Sequence, residues 1–227
     1  MNFADSDELC RHIRSINGDR VILSFSMGKD AIASYLQLKR HFAHVELFHL
    51  YVVPGLGFVE RELERFENML NQKIHRGPGT AFFRMLRNSV YQPPDRLPLL
   101  DNLAMPSPDL ETIDDWMRLV GGDHWIATGV RQTDSLARRM TMAVHGPWKP
   151  KRRQFFPVFD WKIDRLVDEI ERSGIKLPVD YEMFGRSFDG IDYHYLAPIK
   201  ERFPEDYEKI LYWFPLAELD EVRRGLR

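Results

Sequence analysis

The sequence predicts an α/β protein with a twisted, mainly parallel sheet of about five strands, helices on both faces and a C-terminal helical extension. Three apolar runs, residues 21–23, 44–53 and 124–128, are each followed by a turn or loop and then by a helical pattern. This alternation is typical of βαβ units, in which a right-handed crossover joins two parallel strands. The nearly continuous apolar character of residues 44–53 is typical of a strand that is covered on both faces.

The first helix is predicted at residues 5–16. Asp5 and Glu8 have the spacing of a capping pair, and the apolar residues that follow recur at the period of a buried helical face. These apolar residues are Leu9, Ile13 and Ile16. Helices are also expected after the first two strands, up to about residue 42 and at residues 58–70.

Residues 71–107 are rich in proline, and we expect a largely irregular insert with one short helix at residues 80–90. Ser107 and Pro108 predict the start of another helix at residues 109–120. We therefore divide the chain into an α/β domain, residues 1–175, which includes this variable insert, and a helical extension, residues 176–227, packed on it.

Composition excludes several classes of protein. Hydrophobic residues make up 44% of the 227 positions and charged residues 29%, which favours a packed core over disorder. The net charge of −2 argues against a general nucleic-acid coat protein. Cys10 is the single cysteine, so we expect no disulfide within the chain, no zinc and no iron–sulfur cluster. Because no signal peptide or long apolar run is visible, we expect a cytoplasmic protein without membrane association.

The junction between the first strand and its helix carries the main functional signal. A strand, a tight loop and a helix N-terminus together bind anions, because backbone N–H groups and the helix dipole point at one spot. Gly28 lets the backbone approach an anion or adopt a positive φ. Ser26 adds a hydroxyl and Lys29 a positive charge, while Asp30 is expected to cap the helix or to hold Mg²⁺. The alternative is an ordinary strand–turn–helix corner.

A second corner of this kind follows residues 124–128. Gly129 lies at the carboxyl end of the strand, where open α/β sheets place their ligands. Arg131 and Arg138 carry guanidinium groups that can hold phosphate or sulfate through paired hydrogen bonds. For Arg138 and its neighbour Arg139, a solvated helix face is the alternative.

These two corners resemble the PP-loop family of ATP pyrophosphatases. Residues 26–31 are similar to the Ser-Gly-Gly-x-Asp-Ser motif, with Met27 in place of the first glycine and Ala31 in place of the last serine. Within that superfamily the flanks resemble phosphoadenylyl-sulfate (PAPS) reductases. Residues 129–138 are similar to their Gly-x-Arg-x-x-(Glu/Asp)-Ser-x-x-Arg element, and residues 157–161 to their Pro-x-x-Asp-Trp segment.

The resemblance implies an adenine nucleotide alpha-hydrolase-like fold and an ATP- and Mg²⁺-dependent enzyme that adenylates an acceptor and releases pyrophosphate. It implies catalytic roles for Lys29, Asp30 and Arg131, with Asp30 also the Mg²⁺ ligand. The implied nucleotide-binding residues are Ser24, Ser26, Met27, Gly28, Tyr51, Val52, Gly129, Ser135 and Arg138, of which Tyr51 and Val52 would form the adenine shelf. The implied acceptor belongs to nucleic-acid modification or sulfur transfer.

Two alternatives stay open. Met27 and Ala31 are also what a non-catalytic nucleotide-binding scaffold or regulatory subunit would show. A sulfonucleotide-binding enzyme without thiol chemistry is the other, because the cysteines of the related reductases are absent and residues 188–195 replace them. His194 lies in this replacement segment near two aspartates, where a turn is preferred over a catalytic or metal role.

Residues 148–153 form a basic segment that is a candidate contact for nucleic acid or a protein partner. Its charges could follow a phosphate backbone, and the flanking Trp148 and Phe155 could stack on a base. A solvated basic loop is the alternative. We also expect the chain to form a homo-oligomer or to be a subunit of a complex.

Overall fold

The computed structural model describes residues 3–103, 107–220 and 222. The part of the predicted insert at residues 104–106 and the end of the predicted C-terminal extension lie outside the described residues. The chain forms two compact units. The first comprises Met1–His49, Lys73–His75 and Asp114–Leu177, and the second Leu50–Gln72, Arg76–Ile113 and Pro178–Arg227. The predicted division of the chain after residue 175 stays a prediction.

A six-stranded, mostly parallel sheet confirms the predicted fold class. The strands are β1 (Arg20–Ser24), β2 (His44–Tyr51), β3 (Ile74–Pro78), β4 (Ile126–Thr128), β5 (Trp148–Lys149) and β6 (Gln154–Phe155). Their order across the sheet is β3-β2-β1-β4-β6-β5. β1 pairs in parallel with β2 and β4, β4 pairs in parallel with β6, and β5 is antiparallel to β6. The order of the strands therefore reverses between β1 and β4.

Helices occupy the connections and the C-terminal part of the described chain. They are α1 (Ser6–Asn17), α2 (Lys29–Lys39), α3 (Gly57–Leu70), α4 (Thr80–Arg87), α5 (Leu97–Asn102), α6 (Leu110–Gly121), α7 (Leu136–His145), α8 (Ile163–Ser173), α9 (Val179–Phe184), α10 (Tyr193–Arg202) and α11 (Pro204–Trp213). Two 3₁₀ turns lie at Pro94–Arg96 and Pro150–Arg152. Within the described chain, none of these helices has both the length and the apolar character needed to cross a membrane.

The capping of α1 is confirmed, but its predicted apolar face is partly wrong. The Asp5 carboxylate accepts a hydrogen bond from the Glu8 backbone N–H at 2.8 Å. Leu9 and Ile13 are fully buried, whereas Ile16 is 52% exposed. Ile16 lies in the last turn of the helix, just before Gly18 adopts a φ of +83° and redirects the chain toward β1.

The short helix predicted at residues 80–90 is confirmed as α4, but the prediction that the rest of residues 71–107 is irregular is wrong, because it also contains β3 and α5. β3 has the sequence Ile-His-Arg-Gly-Pro, which shows neither an apolar run nor alternation. It lies at the edge of the sheet, where a proline is tolerated. The predicted cap at Ser107 is also wrong, since the Asp109 carboxylate accepts the hydrogen bond from the Thr112 N–H at 2.8 Å.

In the second unit, α3 is capped by a residue that is distant in sequence. Its own N-cap residue, Leu56, makes no side-chain hydrogen bond to the helix. Instead the buried carboxylate of Asp206 accepts from the backbone N–H groups of Gly57 at 2.7 Å and Phe58 at 2.9 Å. Burial alone would raise the pKa of Asp206, but these N–H groups and Lys209 lower it below its ordinary value of 3.8. Two orphan donors of a helix start are thereby satisfied by an anion.

We expect Asp206→Asn to lower the free energy of unfolding by about 1.5–3 kcal/mol at neutral pH, because charge-assisted hydrogen bonds to the helix start are weakened. The lowered pKa means that this contribution is present above pH 3.8 and is lost as the pH falls through the folded-state value. Urea unfolding at several pH values measures the difference. Glu205→Gln, an exposed neighbour in the same turn, is the control. An Asp206→Asn deficit that persists undiminished at pH 2 would contradict this account.

Candidate functional site

The first predicted corner lies where β1 ends and α2 begins. Ser24 is the last residue of β1 and lies beside Thr128, the last residue of β4, in the parallel register. The two carboxyl ends therefore share one edge of the sheet. α2 begins at Lys29, and its N-cap residue is Gly28, which has no side chain that could cap the helix. Gly28 has a φ of −70°, so the prediction that this glycine could adopt a positive φ is wrong.

The left-handed conformation in this loop falls on Met27, whose φ is +63°. A non-glycine residue in this region is strained and persists only where its surroundings hold it. The Met27 side chain is buried, with 2% of the residue exposed, and this burial holds the conformation. Ser26, by contrast, is exposed, and its hydroxyl accepts a hydrogen bond of 3.4 Å from the Gly28 N–H.

Asp30 links the two predicted corners. One of its oxygens, Oδ2, lies 2.5 Å from the Lys29 ammonium, and the other, Oδ1, lies 2.7 Å from the Arg131 Nε. The expected capping role of Asp30 is wrong, since Gly28 holds that position. Lys29 and Arg131 are instead brought together on one carboxylate, although Asp30 and Arg131 are 101 residues apart in sequence.

Arg131 is held from several sides. Its side chain is only 7% exposed, and its Nη2 lies 2.9 Å from the Asp134 carboxylate. Its Nη1 donates to the Trp161 carbonyl at 3.4 Å. Because its guanidinium already faces two carboxylates and a carbonyl, Arg131 organises the neighbouring charges.

Asp134 extends the chain of charges to the helix that follows. Besides Arg131, its carboxylate contacts Arg138 Nη1 at 2.7 Å. Asp134 is the acidic residue of the motif to which residues 129–138 are similar, and it was given no role of its own, although an aspartate four residues before an arginine at a helix start is a recognisable pairing signal. Ser135 has a structural contact here, since its hydroxyl accepts from the Arg138 N–H at 3.1 Å and caps α7.

We refer to Lys29, Asp30, Arg131, Asp134 and Arg138 as the charge cluster. Its three cations and two carboxylates leave a net charge of +1. The cluster runs along the edge of the sheet from the start of α2 to the start of α7. Lys29, with 32% of its side chain exposed, and Arg138, with 50% exposed, are the cations that solvent reaches.

Gly129 allows the two corners to approach each other. A Cβ atom at this position would lie 2.8 Å from both the carbonyl carbon and the carbonyl oxygen of Asp30, and 3.1 Å from the Ala31 nitrogen. These atoms are backbone and have little freedom to move. The observed role of Gly129 is therefore close packing of β4 against the first turn of α2, which brings Arg131 within reach of Asp30.

Tyr51 and Val52, the predicted adenine shelf, belong to the second unit and are half-buried. The Tyr51 hydroxyl donates to the Glu60 carboxylate, and burial together with this neighbour raises the pKa of Tyr51. Its carbonyl accepts from the Gly79 N–H at 2.9 Å. The shelf stays a prediction.

Two of the four positive charges in the basic segment at residues 148–153 are paired with aspartates. Arg152 lies 2.6 Å from the Asp114 carboxylate, and Arg153 pairs with Asp123. Trp148 stacks on Trp125 with ring centroids 5.7 Å apart. Phe155 is fully buried in β6, so the prediction that it stacks on a base is wrong. Lys149 and Lys151 are exposed, and a nucleic-acid or protein contact through them stays a prediction.

The side chains present do not by themselves fit a protein-held Mg²⁺ site. No group of three or more His, Cys, Asp or Glu residues is placed to hold a metal within the described part of the chain. Both oxygens of Asp30 face cations. Cys10 is fully buried, which raises the pKa of its thiol and disfavours the reactive thiolate.

The fold and the charge cluster define a class of protein. In an open, mostly parallel α/β sheet, ligands bind outside the carboxyl ends of the strands at the point where the strand order reverses. That point lies between β1 and β4, where the charge cluster is found. The chain is therefore a doubly wound α/β protein with a charged site at its topological switch point.

Comparison with known proteins places the fold more narrowly. No protein-family model and no curated protein matches the chain. Among solved structures it is similar to the PAPS reductase of Candida auris in complex with phosphate, with a TM-score of 0.52 and 14% identity. The match covers 84% of this chain and 89% of that one. The chain thus has a PAPS reductase-like fold.

We expect Gly129→Ala to lower the free energy of unfolding by about 1–3 kcal/mol, because the new methyl group would overlap with rigid backbone at the start of α2. Chemical denaturation measures this change. Gly57→Ala is the matched control, since the atom nearest to its added Cβ is the movable end of the Arg61 side chain at 3.2 Å. Equal effects of the two substitutions would show that the close approach of β4 to α2 is not constrained.

Proposed function

We propose that this chain is a PP-loop, ATP-dependent enzyme that adenylates an acceptor and releases pyrophosphate. The observation that carries the proposal is the convergence of Lys29 and Arg131 on Asp30 at the switch point of the sheet. Two segments that match PP-loop elements in sequence meet in space there. The parallel pairing of β1 with β4 brings the ends of these two strands together, at the edge where α/β sheets bind ligands.

Three features favour phosphate as the group bound there. α2 begins after Gly28 at the carboxyl end of β1, and the N-terminus of a helix, through its dipole and its first N–H groups, attracts anions. Lys29 is partly exposed at that helix start. The charge cluster has a net positive charge. The PAPS reductase that shares this fold was itself crystallised in complex with phosphate, which supports the same ligand chemistry here.

In the proposed reaction, an acceptor oxygen attacks the α-phosphorus of ATP. A bond from that oxygen to phosphorus forms as the bond from phosphorus to the bridging α–β oxygen breaks, and pyrophosphate leaves with the electron pair. Lys29 and the N–H groups at the start of α2 would stabilise the charge that develops on the leaving group. Arg131 would act through Asp30 as a positioning residue. Within the described residues no group of three or more His, Cys, Asp or Glu side chains is placed to hold Mg²⁺, so no residue of this chain is given a metal-binding role in the reaction.

The acceptor belongs, by this proposal, to nucleic-acid modification or sulfur transfer. Lys149 and Lys151 are exposed basic side chains that would suit contact with a phosphate backbone. The pairing of Arg152 and Arg153 with aspartates makes this a modest positive surface. A nucleophile other than a cysteine of this chain would be required, because its one thiol is buried.

A non-catalytic nucleotide-binding module is the second candidate. It is favoured by Met27, a strained and buried side chain at the position of a motif glycine, and by the internal pairing of the charge cluster. A sulfonucleotide-binding enzyme without thiol chemistry is the third, since the fold is that of PAPS reductases and Cys10 is inaccessible. Both candidates use the same site and differ in ligand and turnover.

Titration calorimetry with ATP, ADP, AMP and PAPS, followed by analysis of the products formed from ATP, separates these candidates. The adenylation proposal requires ATP binding and, with the right acceptor, formation of AMP and pyrophosphate. ATP binding without turnover across a panel of nucleic-acid acceptors and sulfur donors would favour the scaffold. Preference for PAPS over ATP would favour the sulfonucleotide enzyme, and no heat with any of the four would refute nucleotide binding.

We expect Lys29→Ala to weaken ATP binding about tenfold or more, because a charge-assisted contact with phosphate contributes on the order of 1.5–3 kcal/mol. Calorimetry at constant ionic strength measures the change. Lys39→Ala is the matched control, since Lys39 is an exposed lysine in the last turn of the same helix. An unchanged dissociation constant for Lys29→Ala would place the phosphates elsewhere.

A further inference from the structure

The lysine that the proposed reaction needs already has an anionic partner. Asp30 Oδ2 and Lys29 Nζ are 2.5 Å apart and form a charge-assisted hydrogen bond. A phosphate oxygen arriving at Lys29 therefore meets a carboxylate in the same place. The proposed attack on ATP does not use the contact between Asp30 and Lys29.

We propose that Asp30 is a built-in counter-anion, which competes with phosphate oxygens for Lys29 and thereby promotes release of the pyrophosphate product. The inference rests on the proposed function and concerns the same site. It assigns Asp30 a role as a positioning residue for Lys29, in place of the role of a Mg²⁺ ligand that its position in the motif implies.

The two oxygens of Asp30 differ in their partners. Oδ1 faces Arg131, whose side chain is 7% exposed and anchored by Asp134 and the Trp161 carbonyl. Oδ2 faces Lys29, whose side chain is 32% exposed and carries four rotatable bonds. The arginine contact is therefore the fixed one and the lysine contact the exchangeable one. Asp30 stays in place when Lys29 moves to a ligand.

The same geometry argues against Asp30 as a metal ligand. A divalent cation at either oxygen would displace, or lie beside, a positive charge that is already within 2.7 Å. Like charges at such separation repel strongly in a partly buried site. A carboxylate between two cations is suited to balance charge and poorly suited to collect a third cation.

The consequence for binding follows from charge. While Asp30 holds Lys29, an anion has to replace a well-placed carboxylate, so ligand affinity is reduced by the free energy of that ion pair. When the acceptor has been adenylated, the carboxylate is available to recapture Lys29, and pyrophosphate is released more easily. Removing the charge of Asp30 while keeping its shape should therefore tighten pyrophosphate binding.

Asp30→Asn makes this change with little other disturbance. The amide oxygen can still accept from Arg131 Nε, whereas the amide nitrogen in place of Oδ2 cannot hold the ammonium group of Lys29. We expect inorganic pyrophosphate to bind Asp30→Asn about tenfold more tightly than the unaltered chain in EDTA-containing buffer. Asp168→Asn is the control, because it removes the same charge from an exposed position on α8. Circular dichroism melting checks that each variant is folded, and Asp30→Ser serves as a second variant if Asp30→Asn is unstable.

Tighter pyrophosphate binding by Asp30→Asn, with no such gain in Asp168→Asn, supports the inference. Unchanged or weaker binding by a folded Asp30 variant overturns it while leaving the proposed function intact, provided that the unaltered chain binds ATP. An equal gain in Asp168→Asn also overturns it, since net charge alone would then be responsible. If neither the unaltered chain nor a folded Asp30 variant binds ATP or pyrophosphate, the proposed function and this inference both fail.

Discussion

The ion pairs of Asp30 with Lys29 and Arg131 are the interaction on which the candidate site depends. The parallel pairing of β1 with β4 puts the ends of the two strands side by side. The absence of a side chain at Gly129 then lets the second loop approach the backbone of α2. Without Asp30, three cations would face one carboxylate, and the repulsion among them would oppose that approach. The Asp30 carboxylate thus stabilises the packing of the two corners and is also part of the candidate site.

The starts of the helices show how differently the fold treats its unpaired N–H groups. Asp5 and Ser135 cap their own helices, and Asp206 caps α3 from a helix that lies far along the chain. The N-cap residue of α2 makes no side-chain hydrogen bond to its helix, and the same is true of α4 and α8. At the start of α2 the helix dipole and the partly exposed ammonium group of Lys29 act together, and this combination is suited to receive an anion from outside the protein.

Met27 and the pairing of charges give the site a character of its own within this fold. A glycine at position 27 would adopt the left-handed backbone freely, whereas methionine adopts it through burial of its side chain. The cations that the motif comparison assigned to the ligand are largely engaged with carboxylates of the chain. At such a site a ligand has to replace ion pairs that already exist between the cations and the carboxylates of the chain. A phosphate-binding loop whose cations are unpaired would not require this replacement.

Local sequence was sufficient to predict the α/β class, the two strand–loop–helix corners and the start of α1, because apolar periodicity and capping preferences act over a few neighbouring residues. It was insufficient for β3, which is an edge strand without an apolar pattern, and for Asp206, whose partners are about 150 residues away along the chain. It was also insufficient for Asp30, which was expected to cap α2 or to hold a metal. Only the tertiary structure decided that Asp30 neutralises Lys29 and Arg131, because an ion pair between distant segments depends on how the strands pair and not on the residues next to it.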